Sequence, residues 1–344
     1  MKLFKNVDFS ISEQGISSVE KIIIGGVKQS ILIQTEKPGS PVLLFIHGGP
    51  SMPFPGVSNR GSDYALVTTT KELIKYFTVV FWDQRGTGKS YSKAIPKETM
   101  HLKQFINDAR DVTDYLRNRF NQGKLHLVSH SWGSVIALSL AYTYPERYYS
   151  YTGFSQITNW VENDKLSYKW LLERARETNN QKALQELSAV GEPPYMKSLK
   201  QWGVIRKWQF KYKSMFHDAG DSKSATFFTG LKIMLRSLDY SFMDIYNSLV
   251  RGFKLSYTEE MLLDINTFDF FTEIPSLQMP VMFIHGSKDK HFMPELITCY
   301  YEALDAPKGK KLYWSDKSSH AFHLDDAREN EQRLIQHLQD NTPY

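Results

Sequence analysis

The sequence predicts an α/β protein, a mostly parallel central sheet flanked by helices, with a helical cap inserted late in the chain. Three observations carry this. Short, unbroken apolar runs recur, as in strands buried on both faces of a parallel sheet. Helical patterns separate them, and that alternation is the mark of a sheet covered on both sides. The rhythm then stops for more than a hundred residues and resumes near Pro280.

The elements follow in order. Ile22-Ile23-Ile24, Gly25-Gly26 and Ile31-Leu32-Ile33 read as a hairpin. Strand-like runs come next at Val42 to Ile46, Phe77 to Trp82 and Leu125 to Val128, then late at Val281 to Ile284 and Lys311 to Trp314. Phe105 to Phe120 places Phe105, Ala109, Val112 and Leu116 on one helical side, and Ser134 to Tyr144 is a second helix closed by Pro145. Between about Ile157 and Phe271 no good strand is visible; the segment is helical and Lys-rich, and holds Trp160, Trp170, Trp202 and Trp208. The expected organisation is a core in two parts, 1–156 and 272–344, around a cap at 157–271.

A length of 344 residues suits this plan, because single cores stop growing at about 250–300 residues. With 41% hydrophobic and 23% charged residues the chain is of globular composition, which excludes disorder as its main state. The single cysteine, Cys299, excludes an intramolecular disulfide framework and a cysteine-based zinc site. A net charge of +5 does not by itself argue for nucleic acid or membrane. The first residues meet charge before an apolar run can build, so no targeting segment is expected and the cytoplasm is the default. Pro41 to Ile46, the most apolar stretch, is far too short to span a bilayer.

The chemistry-bearing residues lie where strands end. Ser129-His130-Ser131-Trp132-Gly133 follows one strand and opens a helix, departing from G-x-S-x-G only at its first position. A nucleophile on a sharp strand-to-helix turn needs small neighbours, and the helix N-terminus behind it favours developing negative charge. The competing reading of Ser131 is a plain helix N-cap. His47-Gly48-Gly49-Pro50 follows an earlier strand, and glycine there would let main-chain N–H groups approach an oxyanion. Gly49 and Trp132 would be the two donors, although a simple turn would look the same. Asp289, in His285-Gly286-Ser287-Lys288-Asp289, and His320, in Ser318-Ser319-His320, follow two late strands and complete the order Ser, Asp, His. His323 is the rival for His320, with His291 an outsider, and Asp289 could equally be a cap or loop residue.

Phe81-Trp82-Asp83-Gln84-Arg85-Gly86-Thr87-Gly88-Lys89-Ser90 resembles a segment of the proline iminopeptidase family of α/β-hydrolases. That family pairs it with His-Gly-Gly-Pro-Gly, Gly-x-Ser-Trp-Gly, a late Gly-x-x-Asp and a final His. The five landmarks occur here in order over roughly residues 20 to 335, apart from the cap. The resemblance implies the α/β-hydrolase fold, with Ser131 as nucleophile, His320 as general base, Asp289 as its orienter and Gly49 and Trp132 in the oxyanion hole. Ser51 and Ser129 replace two of the family's glycines, and neither change removes a reacting group. Family members acting on peptides hold a free N-terminal amine with cap carboxylates. Glu162, Asp164 and Glu173 are the candidates by position, each also readable as a solvated helix charge, and Glu162 is the residue chosen.

The expected activity is therefore acyl transfer through a serine acyl-enzyme, without cofactor or metal. The resemblance implies release of a small N-terminal residue or amide; a carboxylic-ester or lactone hydrolase uses the same residues, and a non-catalytic binding module would lack turnover. A dehalogenase or epoxide hydrolase would need a carboxylate at position 131. The partner is a small molecule or short peptide, and neither nucleic acid nor membrane is expected. Thr87-Gly88-Lys89-Ser90 imitates the end of a P-loop, but Asp83 stands where its first glycine belongs. Ten histidines are scattered along the chain without nearby cysteines, so no metal site is expected. Lys197, Lys200, Arg206, Lys207, Lys211 and Lys213 interleave with Trp202, Trp208 and Phe210. That pattern reads as an amphipathic cap helix with a solvated face, or else as a surface for lipid, nucleic acid or acidic substrate.

Overall fold

A computed structural model describes residues 5–196 and 198–343, so Lys197 lies outside the described residues. The strands are β1 (Ile16–Ile24), β2 (Val27–Thr35), β3 (Val42–Ile46), β4 (Thr78–Asp83), β5 (Leu125–His130), β6 (Tyr148–Phe154), β7 (Val281–Gly286) and β8 (Lys310–Ser315). They form one eight-stranded sheet in the order β1-β2-β4-β3-β5-β6-β7-β8. The β1–β2 and β2–β4 pairs are antiparallel and every other pair is parallel. The hairpin turns at Gly25 and Gly26, both at positive φ. A Cβ on Gly25 would fall 2.1 Å from Asp108 Oδ1 and 2.4 Å from the Arg85 guanidinium, so only glycine lets the turn lie on that buried ion pair.

Alternation along each strand divides the core. Leu44, Ile46, Val80 and Leu127 face one layer, packed on α2 (Leu102–Phe120) and α3 (Trp132–Thr143). Leu43, Phe45, Val79 and Val128 face the other, where α1 (Leu73–Tyr76) and, at the end of the chain, Leu324–Asp340 pack. Strand β6 was not expected. Its sequence, YYSYTGF, mixes small polar residues with aromatics and follows the turn at Pro145 without a clear apolar run, yet five of its last six residues plus Tyr148 are buried between β5 and β7.

Between β6 and β7 the described residues form helices and no strand: α4 (Trp160–Glu177), α5 (Gln181–Val190), α6 (Leu199–Lys211), α7 (Phe227–Arg236), α8 (Phe242–Tyr246), a π-helical turn at Asn247–Gly252, α9 (Phe253–Ser256), α10 (Glu259–Ile265) and α11 (Phe270–Glu273). An antiparallel bridge between Asn159 and Asp269, beside a Phe270 N–H to Thr158 carbonyl bond of 3.0 Å, closes the neck of this cap. Two helices of the core follow, α12 (Pro294–Ala303) and α13 (Leu324–Asp340).

Candidate active site

Ser131 sits between β5 and α3 with φ 53° and ψ −125°, a strained conformation for a non-glycine residue. Its neighbours explain why the turn can form. A Cβ on Gly133 would lie 2.2 Å from the Ile46 carbonyl oxygen, and one on Gly48 would lie 3.0 Å from the Ser131 Cβ. Ser129, where the resembling family has glycine, is accommodated inside the sheet, its hydroxyl 3.0 Å from the Tyr151 phenol.

The loops after β7 and β8 bring Asp289 and His320 to this serine. His320 Nε2 is 2.8 Å from Ser131 Oγ, and His320 Nδ1 is 2.9 Å from Asp289 Oδ2. Asp289 Oδ1 accepts the His291 and Phe292 N–H groups at 2.7 and 3.0 Å. Burial alone would raise the Asp289 pKa, but His320, His285 and the Phe292 N–H outweigh it and hold the carboxyl at about 2. Asp289 is thus an anion, which places the imidazole proton on Nδ1 and leaves the Nε2 lone pair for the Ser131 hydroxyl. The array can remove the serine proton and stabilise the resulting imidazolium.

Three other histidines crowd His320 or its partners without entering that chain: His285, His291 and His130. His285 Nε2 is 3.5 Å from Asp289 Oδ2. The His291 ring meets the His320 ring edge-on at 4.9 Å, and burial drives its pKa well below the usual value. His130, also at 4.9 Å, donates from Nε2 to the His320 carbonyl at 3.1 Å and is pushed down to about 3 by burial. His323 caps α13 instead, with Nε2 2.8 Å from Asp221. Asp221, His323 and Asp325 are close enough to resemble a metal-ligand set. There, however, Lys223 and Lys317 occupy the Asp325 carboxylate.

The Gly49 and Trp132 amides flank Ser131, and among the described residues neither donates to a protein acceptor. For Trp132 this follows from its place in the first turn of α3. Gly49 has φ 124°, and a Cβ there would collide with the Ser51 and Met52 amides at 2.4 and 2.6 Å. Gln84 joins the two donor segments: its amide nitrogen donates to the His47 carbonyl at 2.7 Å and its oxygen accepts the Trp132 indole at 3.2 Å. Burial lowers the His47 pKa to about 4, so the ring is neutral, donating from Nδ1 to the Gly48 carbonyl and accepting the Gln84 N–H at Nε2.

The rest of the Asp83–Ser90 segment is framework. Arg85 forks onto Asp108 with two 2.8 Å bonds, fully buried. Asp83 accepts the Tyr240 phenol at 2.7 Å and the Val57 and Lys89 N–H groups; burial nevertheless raises its pKa to about 6. The P-loop-like residues are folded onto that carboxylate.

Ser131 opens into a cavity of about 340 Å³ roofed by the cap. Its walls include Phe54, Trp160, Trp202, Phe227, Phe292 and other apolar groups, and among the described residues Arg206 is the one Lys, Arg, Asp or Glu that lines it. Glu162 does not reach it. The expected amine ligand is the third residue of α4, on the outer face and paired with Lys165 at 2.6 Å, because the helical period turns it away from the buried Asn163 and Asp164. Glu173 is likewise off the cavity wall, and Asp164 is buried behind it, bonded to Arg206 at 2.5 Å. Arg206 lies over the Trp160 and Trp202 rings, 5.4 and 5.0 Å from their centres.

Sequence reasoning missed three residues by which the cap holds the site loops. Asn163 bonds the C-terminal part of the Asp289 loop twice, to the His291 carbonyl and the Met293 N–H, each at 2.9 Å. The Ser214 carbonyl accepts the Ser319 hydroxyl at 2.9 Å, next to His320. The Tyr257 phenol donates to the Gly49 carbonyl at 2.8 Å. A polar residue on the inner face of an apolar helix was the one available signal, and only for Asn163.

Fold and site geometry together define an α/β hydrolase. The alpha/beta hydrolase fold family matches residues 41–190, and the chain belongs to that family. Its relatives include the probable aminopeptidase YbaC of Bacillus subtilis (strain 168), 31% identical over 318 residues, which span 91% of this chain and 94% of that protein. A proline iminopeptidase of Heyndrickxia coagulans is 23% identical over 294 residues, 85% of this chain and 88% of the other. In fold the chain is similar to a crystal structure of the proline iminopeptidase of Mycobacterium smegmatis, with a TM-score of 0.62, 15% identity, and coverage of 94% and 98% of the two chains.

Proposed function

We propose that this α/β hydrolase is a serine hydrolase working through an acyl-enzyme, cleaving a small N-terminal residue or amide in the manner of an aminopeptidase. The observation that carries the chemistry is the continuous Ser131–His320–Asp289 hydrogen-bond chain, with links of 2.8 and 2.9 Å. His320 Nε2 takes the Ser131 proton as Oγ attacks the carbonyl carbon. The Gly49 and Trp132 N–H groups receive the oxyanion, and Asp289 stabilises the imidazolium. His320 then protonates the leaving group, and later activates the water that releases the acid. No cofactor takes part in this scheme. The names of the relatives support the aminopeptidase reading.

One observation favours a second reading, hydrolysis of an uncharged ester or lactone. Among the described residues no carboxylate lines the cavity, and Asp164, buried beside Arg206, is already engaged by it. A free ammonium group would be desolvated beside a guanidinium with no open counter-ion, at a cost of several kcal/mol. A panel of aminoacyl amides, their N-acetylated counterparts and short acyl esters separates the two. Preference for free amines supports the aminopeptidase, and preference for blocked or amine-free substrates supports the esterase. Failure of a fluorophosphonate probe to label Ser131 would remove both.

A further inference from the structure

The outer face of the cap carries a surface that neither the acyl-transfer chemistry nor the packing of the cap explains. Among the described residues thirteen large hydrophobic side chains are exposed, and eight of them fall within residues 198–257, so the exposure is concentrated rather than scattered. Phe228 is 74% exposed, Phe242 61%, Phe210 60% and Met243 52%. Single exposed apolar residues need no explanation, but a cluster of this kind marks an interaction site.

The cluster reaches the entrance to the cavity through two of its members. Phe210 and Phe253 line the cavity and are also exposed, so they stand at its mouth. Phe210 touches Phe227 edge-on at 6.1 Å, and Phe227 in turn meets Phe228 at 6.0 Å, so the aromatic surface runs from the wall outward onto α7. Helix α8 packs against α7 and carries Phe242 and Met243.

The charge of the same segment is one-sided. Residues 198–257 contain ten lysines and arginines against four aspartates and no glutamate, an excess larger than the +5 of the whole chain. Three of those aspartates are engaged: Asp239 by Arg60, Asp221 by His323, and Asp244 by Ser241 and by Lys89. Of the bases, Arg206, Lys207, Lys223 and Arg236 are paired with Asp164, Glu186, Asp325 and Asp8, whereas Lys211, Lys232 and Lys254 have no acidic partner among the described residues. Two copies meeting through this face would bring like charges together. An apolar surface surrounded by cations matches a lipid interface bearing negative charge, where aromatic side chains enter the headgroup boundary and lysines meet phosphates.

We propose that the cap face formed by α7, α8 and the cavity mouth docks peripherally on an anionic bilayer, so that apolar substrate passes from the lipid into the cavity. No helix of the described residues is long and apolar enough to cross a membrane, so this is surface attachment only. It departs from the expectation that no membrane is involved, because the basic-aromatic segment there was read as a solvated helix. Trp202 and Trp208 are indeed buried, but Phe210, Phe228 and Phe242 are not.

The test is flotation of the full-length protein with vesicles of phosphatidylcholine alone or containing phosphatidylglycerol. Binding should be at least about tenfold stronger to the anionic vesicles and should weaken with added salt. The exposed pair Phe228→Ser/Phe242→Ser should lower binding about tenfold while leaving hydrolysis of a water-soluble substrate unchanged. Lys232→Glu/Lys254→Glu should abolish the anionic preference. Ser131→Ala should bind vesicles as the native protein does, which keeps this proposal separate from the assignment of the reacting serine. Equal binding to both vesicles, or to neither, would overturn it. So would a dimer in sedimentation that the phenylalanine pair dissociates, since the occupant would then be a second copy.

Discussion

The core presents Ser131, Asp289 and His320 from just beyond the ends of β5, β7 and β8, three strands of the parallel part of the sheet, each held by main-chain pairing along its length. The cap reaches the same site with single side chains on helices and turns: Asn163 on α4, Arg206 on α6 and Tyr257 after α9. The core groups are therefore fixed by the sheet, and the cap groups by helix packing and a few hydrogen bonds. The difference teaches a division of labour. The sheet supplies reactivity, and the cap sets the shape and charge of the cavity. The cap also holds all three site loops, so it bears on reactivity too.

The largest effect tests the core alone. Ser131→Ala should lower kcat by on the order of 10³-fold or more, and His320→Ala by nearly as much, because such residues act as a unit. His323→Ala should be mild, and assay of the three variants together would expose any exchange of roles between the two histidines. The next variant tests whether the cap governs reactivity. Asn163→Ala frees the C-terminal part of the Asp289 loop, and displacement of an orienting group can cost on the order of 10²-fold. A fall in kcat with little change in melting temperature is expected; a change confined to KM would assign Asn163 to the cavity wall instead.

Arg206→Gln sharpens the charge half of the comparison. It removes the cation of the cavity and leaves the buried Asp164 carboxyl, whose pKa burial already raises, to take up a proton, so the roof turns from cationic to neutral. The ratio of kcat/KM for free-amine over N-acetylated substrates should rise about tenfold, a change read from the same substrate panel. Rescue of the original ratio by Arg206→Lys would show that the charge is what matters. Tyr257→Phe removes one hydrogen bond to the Gly49 loop and should lower kcat by only about three- to tenfold, leaving KM alone.

The last effect concerns stability and not rate. His47, His126 and His130, all in core strands or the loops after them, are held neutral with pKa values of about 4, 3 and 3, chiefly by burial. Their folded values lie below the unfolded one of about 6.5, so the unfolded chain binds more protons below that pH. The stability is complete above pH 6.5 and is lost as pH falls toward 4, by about 1.4 kcal/mol per pH unit for each group. Urea unfolding followed between pH 7 and 4.5 should show this slope. A flat profile would mean these rings are protonated in the folded core.

Legibility divides along the same line between core and cap. Val42 to Ile46, Leu125 to Val128 and Val281 to Ile284 stand out because a strand buried on both faces must be apolar throughout, and that demand is local. The turn at Ser131 is readable for a similar reason: the Ile46 carbonyl leaves no room for a Cβ at position 133, so the motif is written in consecutive residues. Strand β6 was hidden because Ser150, Thr152 and Gly153 carry no apolar signal, and the pairing of β5 and β7 on either side of it is what makes it a strand.

By itself the sequence determined the fold class, the helical character of the insertion and the candidate serine, acid and histidine, since each depends on steric and hydrophobic rules acting over a few residues. Only the tertiary structure decided that Glu162 faces solvent while Arg206 faces the cavity, that His320 rather than His323 meets Ser131, and that Asn163 and Tyr257 hold the loops. Each of these depends on which side of a helix or loop meets a surface far away in the chain: His320 and Ser131 are separated by 189 positions, Tyr257 and Gly49 by 208. A two-residue step along a helix turns a side chain through about 200°, enough to carry position 162 to water and position 164 into the core.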